Sequence, residues 1–256
     1  MADLTVRYFS DCLKRSTTFR MYLPNTHGDS EYAKRKTKVL FLLHGYCGDA
    51  ENWVPEHLSD KYNFAVVIPN GENSFWLDGI STGHKFCTFL GEELPGFIRK
   101  TFNLAVAKED TYIMGLSMGG FGALHTALAY PDVFSTAICL SSAFIHNEIM
   151  KMEPGTENAV ANYEYYRECF GEPAKLSESD NNPEVLIRKL KGSGHEIPAI
   201  YMACGTEDFL LNENRAMDAF LKDMGVEHVY EEATGTHNME FWTKYVEIFV
   251  PRVFGK

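Results

Sequence analysis

Between Thr111 and Gly122 the sequence Thr-Tyr-Ile-Met-Gly-Leu-Ser-Met-Gly-Gly-Phe-Gly runs from a short, β-branched and apolar stretch straight into one with helical spacing. Thr111 to Met114 reads as a buried strand, and Met118 to Tyr130 as a helix stopped by Pro131. Ser117 is therefore expected on a strand-to-helix turn. Such a turn demands φ > 0 or a close approach of backbone, and Gly115 and Gly119 would permit either without a Cβ clash. The hydroxyl would project from the sheet, with the first N–H groups of the helix aimed at any negative charge forming beside it. Taken alone, G-x-S-x-G is a weak motif; the strand before it and the helix after it give it weight.

The rest of the chain alternates in the same way. Leu4 to Phe9 and Thr17 to Leu23 read as an antiparallel hairpin, and a polar loop is expected from Gly28 to Lys38. Lys38–Leu43 is an unbroken apolar run suited to a central strand buried on both faces. Phe64–Ile68, Ser135–Leu140, Ala199–Cys204 and His228–Glu232 repeat the pattern, with helices expected near 92–102, 212–224 and 240–250, and a short or irregular one near Pro55. The pattern implies an α/β fold with a mostly parallel central sheet flanked by helices. Two intervals break the rhythm. The loop Glu72 to Lys85 carries Phe75, Trp76, Asp78 and His84 and is long enough to be functional. Residues 144–190, rich in tyrosine and charge, are expected to form a helical insertion over the carboxyl ends of the strands, where open α/β sheets place ligands.

With 256 residues, 45% hydrophobic, the chain can bury one large core, so a single domain over 1–256 is expected, with the insertion inside it. A net charge of -11 argues against nucleic acid and against an anionic membrane surface, both of which need clustered Lys and Arg. A small neutral substrate suits it better. The N-terminus has no basic segment followed by an apolar one, and no apolar run is long enough to span a bilayer, so a cytoplasmic protein is expected. Cys12, Cys47, Cys87, Cys139, Cys169 and Cys204 show no C-x-x-C pair and no metal-ligand spacing, as expected of reduced and mostly buried thiols. No cofactor is expected, and a homo-oligomer is compatible with the sequence.

A serine hydroxyl becomes a useful nucleophile only when a base takes its proton and a carboxylate orients that base. His237 follows the last strand and precedes the last helix, which places it at the same end of the sheet as Ser117. His125, two turns into the helix after Ser117, should point away from it, and His44 suits packing or a loop hydrogen bond. For the acid, Asp208 and Glu207 both follow the strand ending at Cys204. The shorter side chain loses less freedom when clamped, which favours Asp208 and leaves Glu207 to solvent. The order Ser117, Asp208, His237 is that of α/β-hydrolases. An oxyanion would be held by the N–H of Met118 and, from the His44-Gly45-Tyr46 loop, the N–H of Tyr46. Phe75, Trp76, Tyr163 and Tyr166 are candidate pocket walls, along with Tyr46; as aromatics they are equally suited to the core.

The His-Gly turn at His44, the G-L-S-M-G-G elbow, the Gly205-Thr206-Glu207-Asp208-Phe209-Leu210 segment and Gly235-Thr236-His237-Asn238-Met239-Glu240-Phe241-Trp242 together resemble the esterase D branch of the α/β-hydrolases. That branch holds tributyrin, feruloyl and acetylxylan esterases, S-formylglutathione hydrolases and mycolyltransferases. The likeness extends over nearly the whole chain and is greatest to the tributyrin esterases, through Asn73-Ser74-Phe75-Trp76 and Thr88 to Pro95. It implies a cofactor-free serine carboxylesterase acting on short acyl esters, with Ser117 as nucleophile, His237 as base, Asp208 as acid, and Tyr46 and Met118 N–H groups in the oxyanion hole. A small-molecule ester or an acylated saccharide is the implied partner. Feruloyl or acetylxylan ester hydrolysis, thioester hydrolysis on S-formylglutathione, and a silent binding scaffold are the alternatives. The interval 144–190 is least like the relatives and carries no acyl or alcohol preference across.

Overall fold

Eight strands make one sheet: β1 (Ala2–Ser10), β2 (Arg15–Leu23), β3 (Lys38–Leu43), β4 (Phe64–Pro69), β5 (Thr111–Leu116), β6 (Thr136–Leu140), β7 (Ala199–Gly205) and β8 (His228–Ala233). Their spatial order is β1-β2-β4-β3-β5-β6-β7-β8. β1 and β2 pair antiparallel and β2 joins β4 antiparallel, while every pair from β4 to β8 is parallel. The computed structural model describes residues 2–25, 30–51, 53 and 55–255. The polar loop expected from Gly28 begins outside the described residues; within it, Glu31–Lys34 forms a 3-10 turn capped by the Ser30 hydroxyl.

The burial of each strand follows its place. β3, β4 and β6 are buried along almost their whole length because helices cover both faces, whereas β1, an edge, alternates half-buried and exposed residues. One face carries α1 (Glu56–Tyr62) and α9 (Met239–Phe254). The other carries α2 (Phe86–Thr88), which continues through a π turn at Phe89–Glu93 into α3 (Leu94–Phe102), together with α4 (Met118–Ala129). α5 (His146–Ile149), α6 (Tyr163–Phe170), α7 (Pro183–Ser193) and α8 (Leu211–Asp223) follow on that same face.

β4 lies on one side of β3 and β5 on the other, so the chain reverses its direction of winding between them. A crevice opens at such a switch point, outside the carboxyl ends of the strands. The loop after β3 and the turn after β5 both face it.

Two helices depart from expectation. α9 runs through Pro251 to Phe254 instead of ending near Val250. The Phe254 ring stacks on Phe64 at 4.2 Å and meets Tyr112 at 4.4 Å, so burial outweighs the lost backbone bond at the proline. Between β6 and β7, the interval expected to be one insertion contains two kinds of structure. α7 buries Leu186 and Ile187 against α4 as a crossover helix, while α5 and α6 form the excursion proper. Glu168 of α6 binds the 79–84 loop: its carboxylate accepts from the Ser81 N–H and hydroxyl at 2.9 Å and contacts His84 Nδ1 at 3.0 Å.

Among the described residues no helix is long and apolar enough to cross a membrane. Cys87, Cys139, Cys169 and Cys204 are buried, Cys12 is half-buried, and Cys47 is exposed on the loop after β3.

Candidate active site

Ser117 stands between β5 and α4 with φ 55° and ψ -120°. The positive φ is on the serine itself, while Gly115 and Gly119 serve close approach. A Cβ on Gly115 would lie 2.1 Å from Gly119 O, and one on Gly119 would lie 2.3 Å from Leu43 O. The strained turn is anchored by main-chain bonds: Ser117 N–H donates to Leu140 O at 2.9 Å, and its carbonyl accepts from the N–H groups of Gly120, Phe121 and Ala143. The serine is half-buried, and its hydroxyl makes no hydrogen bond among the described residues.

The loop after β3 lies against it. A Cβ on Gly45 would sit 3.4 Å from Ser117 Cβ. The N–H groups of Tyr46 and Met118 have no acceptor among the described residues, and Met118 is the first residue of α4, where helical N–H groups are orphaned. Buried His44 fixes this loop: its Nδ1 bonds to Gly45 O at 2.8 Å, and its Nε2 accepts from Gly71 N–H at 2.9 Å. Those partners require a neutral ring, and burial lowers its pKa in the same sense.

Asp208 follows β7 with its side chain fully buried, and His237 lies on the loop between β8 and α9. The two meet: His237 Nδ1 is 3.0 and 2.9 Å from the Asp208 oxygens. Burial would raise the Asp208 pKa, but the bonds from His237 and the Leu210 N–H hold it below the ordinary carboxylate value. With Nδ1–H given to this carboxylate, Nε2 is left with its lone pair. No hydrogen bond joins Nε2 to Ser117 among the described residues. The two neighbourhoods are linked through Trp242, whose ring meets the imidazole edge-on at 4.9 Å and shares a small apolar cavity with Gly115 and Leu116.

The four aromatic residues offered as pocket walls are core residues: Phe75, Trp76, Tyr163 and Tyr166 are all buried. Trp76 fills the space left by two glycines, since a Cβ on Gly71 or Gly122 would fall 2.3 or 2.5 Å from its ring. Its Nε1 donates to His44 O at 3.2 Å, so it props the end of β3 from beneath. Phe75 packs on Phe170 and Phe121, joining the 72–85 loop to α6 and α4. Tyr163 and Tyr166 give their hydroxyls to Glu172 and Asn158. Tyr46, on the loop after β3, and Phe209, beside Asp208, are exposed instead, Phe209 at 70% with its ring 4.5 Å from the imidazole. Phe209 was legible only as the neighbour of Asp208.

His125 is buried between Cys87 and Asp180 O, away from the serine, and burial lowers its pKa to about 4. Glu207 is exposed but not merely solvated: its carboxylate accepts from Gly235 N–H at 2.6 Å. A cavity of about 670 Å³, bordered by Phe144, Ile145, Asn147, Glu148, Asn212 and Glu213, lies between the segment that follows β6, including α5, and the first turns of α8. Its border begins one residue past Ala143, whose N–H holds the Ser117 carbonyl at 3.0 Å. Among the described residues no group of three or more His, Cys, Asp and Glu is placed to hold a metal ion.

The model of the Esterase family, described as "Putative esterase", matches residues 10–247. An acetyl esterase of Caldicellulosiruptor saccharolyticus is 42% identical over 254 residues, 96% of each chain. A fluorophosphonate-binding serine hydrolase of Staphylococcus aureus, solved with substrate bound, is similar with a TM-score of 0.85 at 24% identity, over 99% of this chain and 98% of that one. An S-formylglutathione hydrolase of the same organism gives 0.82 at 23% identity, with the same coverage.

Proposed function

The chain belongs to the Esterase family and is a carboxylic ester hydrolase, and from that premise we propose that it cleaves short-chain acyl esters through an acyl-enzyme on Ser117. His237 Nε2 takes the hydroxyl proton as Oγ attacks the ester carbonyl. The oxyanion forms between the N–H groups of Tyr46 and Met118, which have no other acceptor among the described residues. Collapse expels the alcohol, which leaves with the proton from the imidazolium. Water, deprotonated by the same nitrogen, then attacks the acyl carbon and frees the acid. Asp208 holds the imidazole in the required tautomer.

The observation that carries this function is a serine at φ 55° beside two N–H groups that have no acceptor among the described residues. The 42% identical acetyl esterase supports an acetyl or similarly short acyl group. The excursion over 144–178 is taken as the cover of the alcohol side, and the 670 Å³ cavity that it borders together with α8 is assigned to a sizeable alcohol, an acylated saccharide among them. Hydrolysis of a p-nitrophenyl acetate-to-octanoate series tests the acyl preference. A kcat/KM highest at acetate and falling with length is expected; a maximum at octanoate, or preference for methyl ferulate or S-formylglutathione, would move the substrate assignment elsewhere.

A further inference from the structure

The geometry points to Glu207 as a positioning residue that holds the His237 loop in register with Asp208, a role that rests on the triad proposed above. β8 is an edge strand, paired among the described residues with β7 alone, so the loop that carries His237 follows a strand open on its far side. What holds it is a set of bonds to residues 206 and 207. Thr206 N–H donates to Ala233 O at 2.9 Å and Glu207 N–H to Gly235 O at 3.1 Å. In return Gly235 N–H donates to Glu207 Oε2 at 2.6 Å, while the Thr206 hydroxyl donates to Oε1 at 2.9 Å. Glu207 thus closes on both sides of one residue, Gly235, with its main chain and its side chain.

The fit between the two loops depends on glycine. A Cβ on Gly205 would lie 2.1 Å from Gly235 O, and one on Gly235, at φ 155°, would meet Phe241 at 2.5 Å. Two bare backbones in contact have no side chains to lock them, which leaves the carboxylate as the lock. A charged acceptor makes that bond stronger than a neutral one. The Gly235 and Thr206 bonds lower the Glu207 pKa, so the group is ionised at neutral pH. Among the described residues Glu207 has no ion pair, and its side chain is engaged by the Gly235 N–H and the Thr206 hydroxyl. The clamp sits one residue from Asp208 and two from His237, close enough to set the separation of the imidazole and its acid.

Three variants test this against p-nitrophenyl acetate and a fluorophosphonate probe. Glu207→Ala and Glu207→Met, which lack the acceptor, are expected to lower kcat by roughly ten- to a hundredfold through misplacement of the base. KM should stay within about twofold, and Ser117 labelling should slow in proportion to kcat. Glu207→Gln keeps an oxygen at the same reach and is expected to recover most of the rate. Wild-type kcat and labelling in the Ala and Met proteins would overturn the role, as would Gln as slow as Ala, or a loss confined to KM. A wild-type protein that neither hydrolyses the ester nor labels would instead remove the triad itself, and the role of Glu207 with it.

Discussion

Both carboxylate oxygens of Asp208 lie within 3.0 Å of His237 Nδ1, and the side chain that provides them is wholly buried. A buried carboxylate with this partner fixes which imidazole nitrogen carries the proton. Asn at this position would present an amide that can hold the other tautomer. Asp208→Asn is therefore expected to lower kcat on p-nitrophenyl acetate by roughly ten-thousandfold while leaving the fold intact, by steady-state kinetics beside circular dichroism.

His44 ties the loop bearing the Tyr46 N–H to the loop after β4, through bonds to Gly45 and Gly71. His44→Phe keeps an aromatic ring there but leaves the Gly71 N–H without its acceptor. A loss of about 1–3 kcal/mol in urea unfolding is expected. Because the proposed oxyanion donor, the Tyr46 N–H, rides on the same loop, kcat should fall more than KM rises.

The steric case at Gly119 is sharper. A Cβ there would lie 2.3 Å from Leu43 O and 2.6 Å from His44 O, both backbone atoms of the central strand and its exit. Gly119→Ala is expected to cost about 1–3 kcal/mol, or more if the strand cannot yield, and to lower the melting temperature by several degrees. Calorimetry of the purified variant measures it.

Glu184 bonds His146, Asn147 and Arg188, tying α5 to α7, and the His146 bond is the main cause that lowers its pKa from 4.5 to about 2. A depressed carboxyl pKa contributes stability above the unfolded value, and that contribution is lost as pH falls through the folded one. Since the carboxylate is only partly buried, screening reduces the effect to on the order of 1–2 kcal/mol. Glu184→Gln should thus be less stable than wild type at pH 7, with the gap closing between pH 4.5 and 2. A gap that stays constant over that range, by urea midpoints, would contradict it.

Much of this was legible because parallel α/β sheets place loop residues in strand order. Ser117, Asp208 and His237 each follow a strand, so their common end of the sheet could be read from the apolar runs before them. Aromatic residues were less legible, since residue type does not say which way a ring turns. Phe75 and Trp76 take φ of 51° and 58°, turning both rings into the core, and nothing in the Phe75-Trp76 pair announces it. Glu207 was illegible for another reason: its partner Gly235 is 28 residues away, and only the folded pairing of β7 with β8 brings them together. At Pro251 a local rule was outweighed by long-range packing of Phe254 on Phe64.

Replacement of Ser117, the proposed nucleophile, bears most directly on the whole mechanism. Ser117→Ala, assayed on p-nitrophenyl acetate beside fluorophosphonate labelling, is expected to lose roughly a millionfold in kcat and all labelling. Undiminished turnover by that protein would contradict catalysis at Ser117.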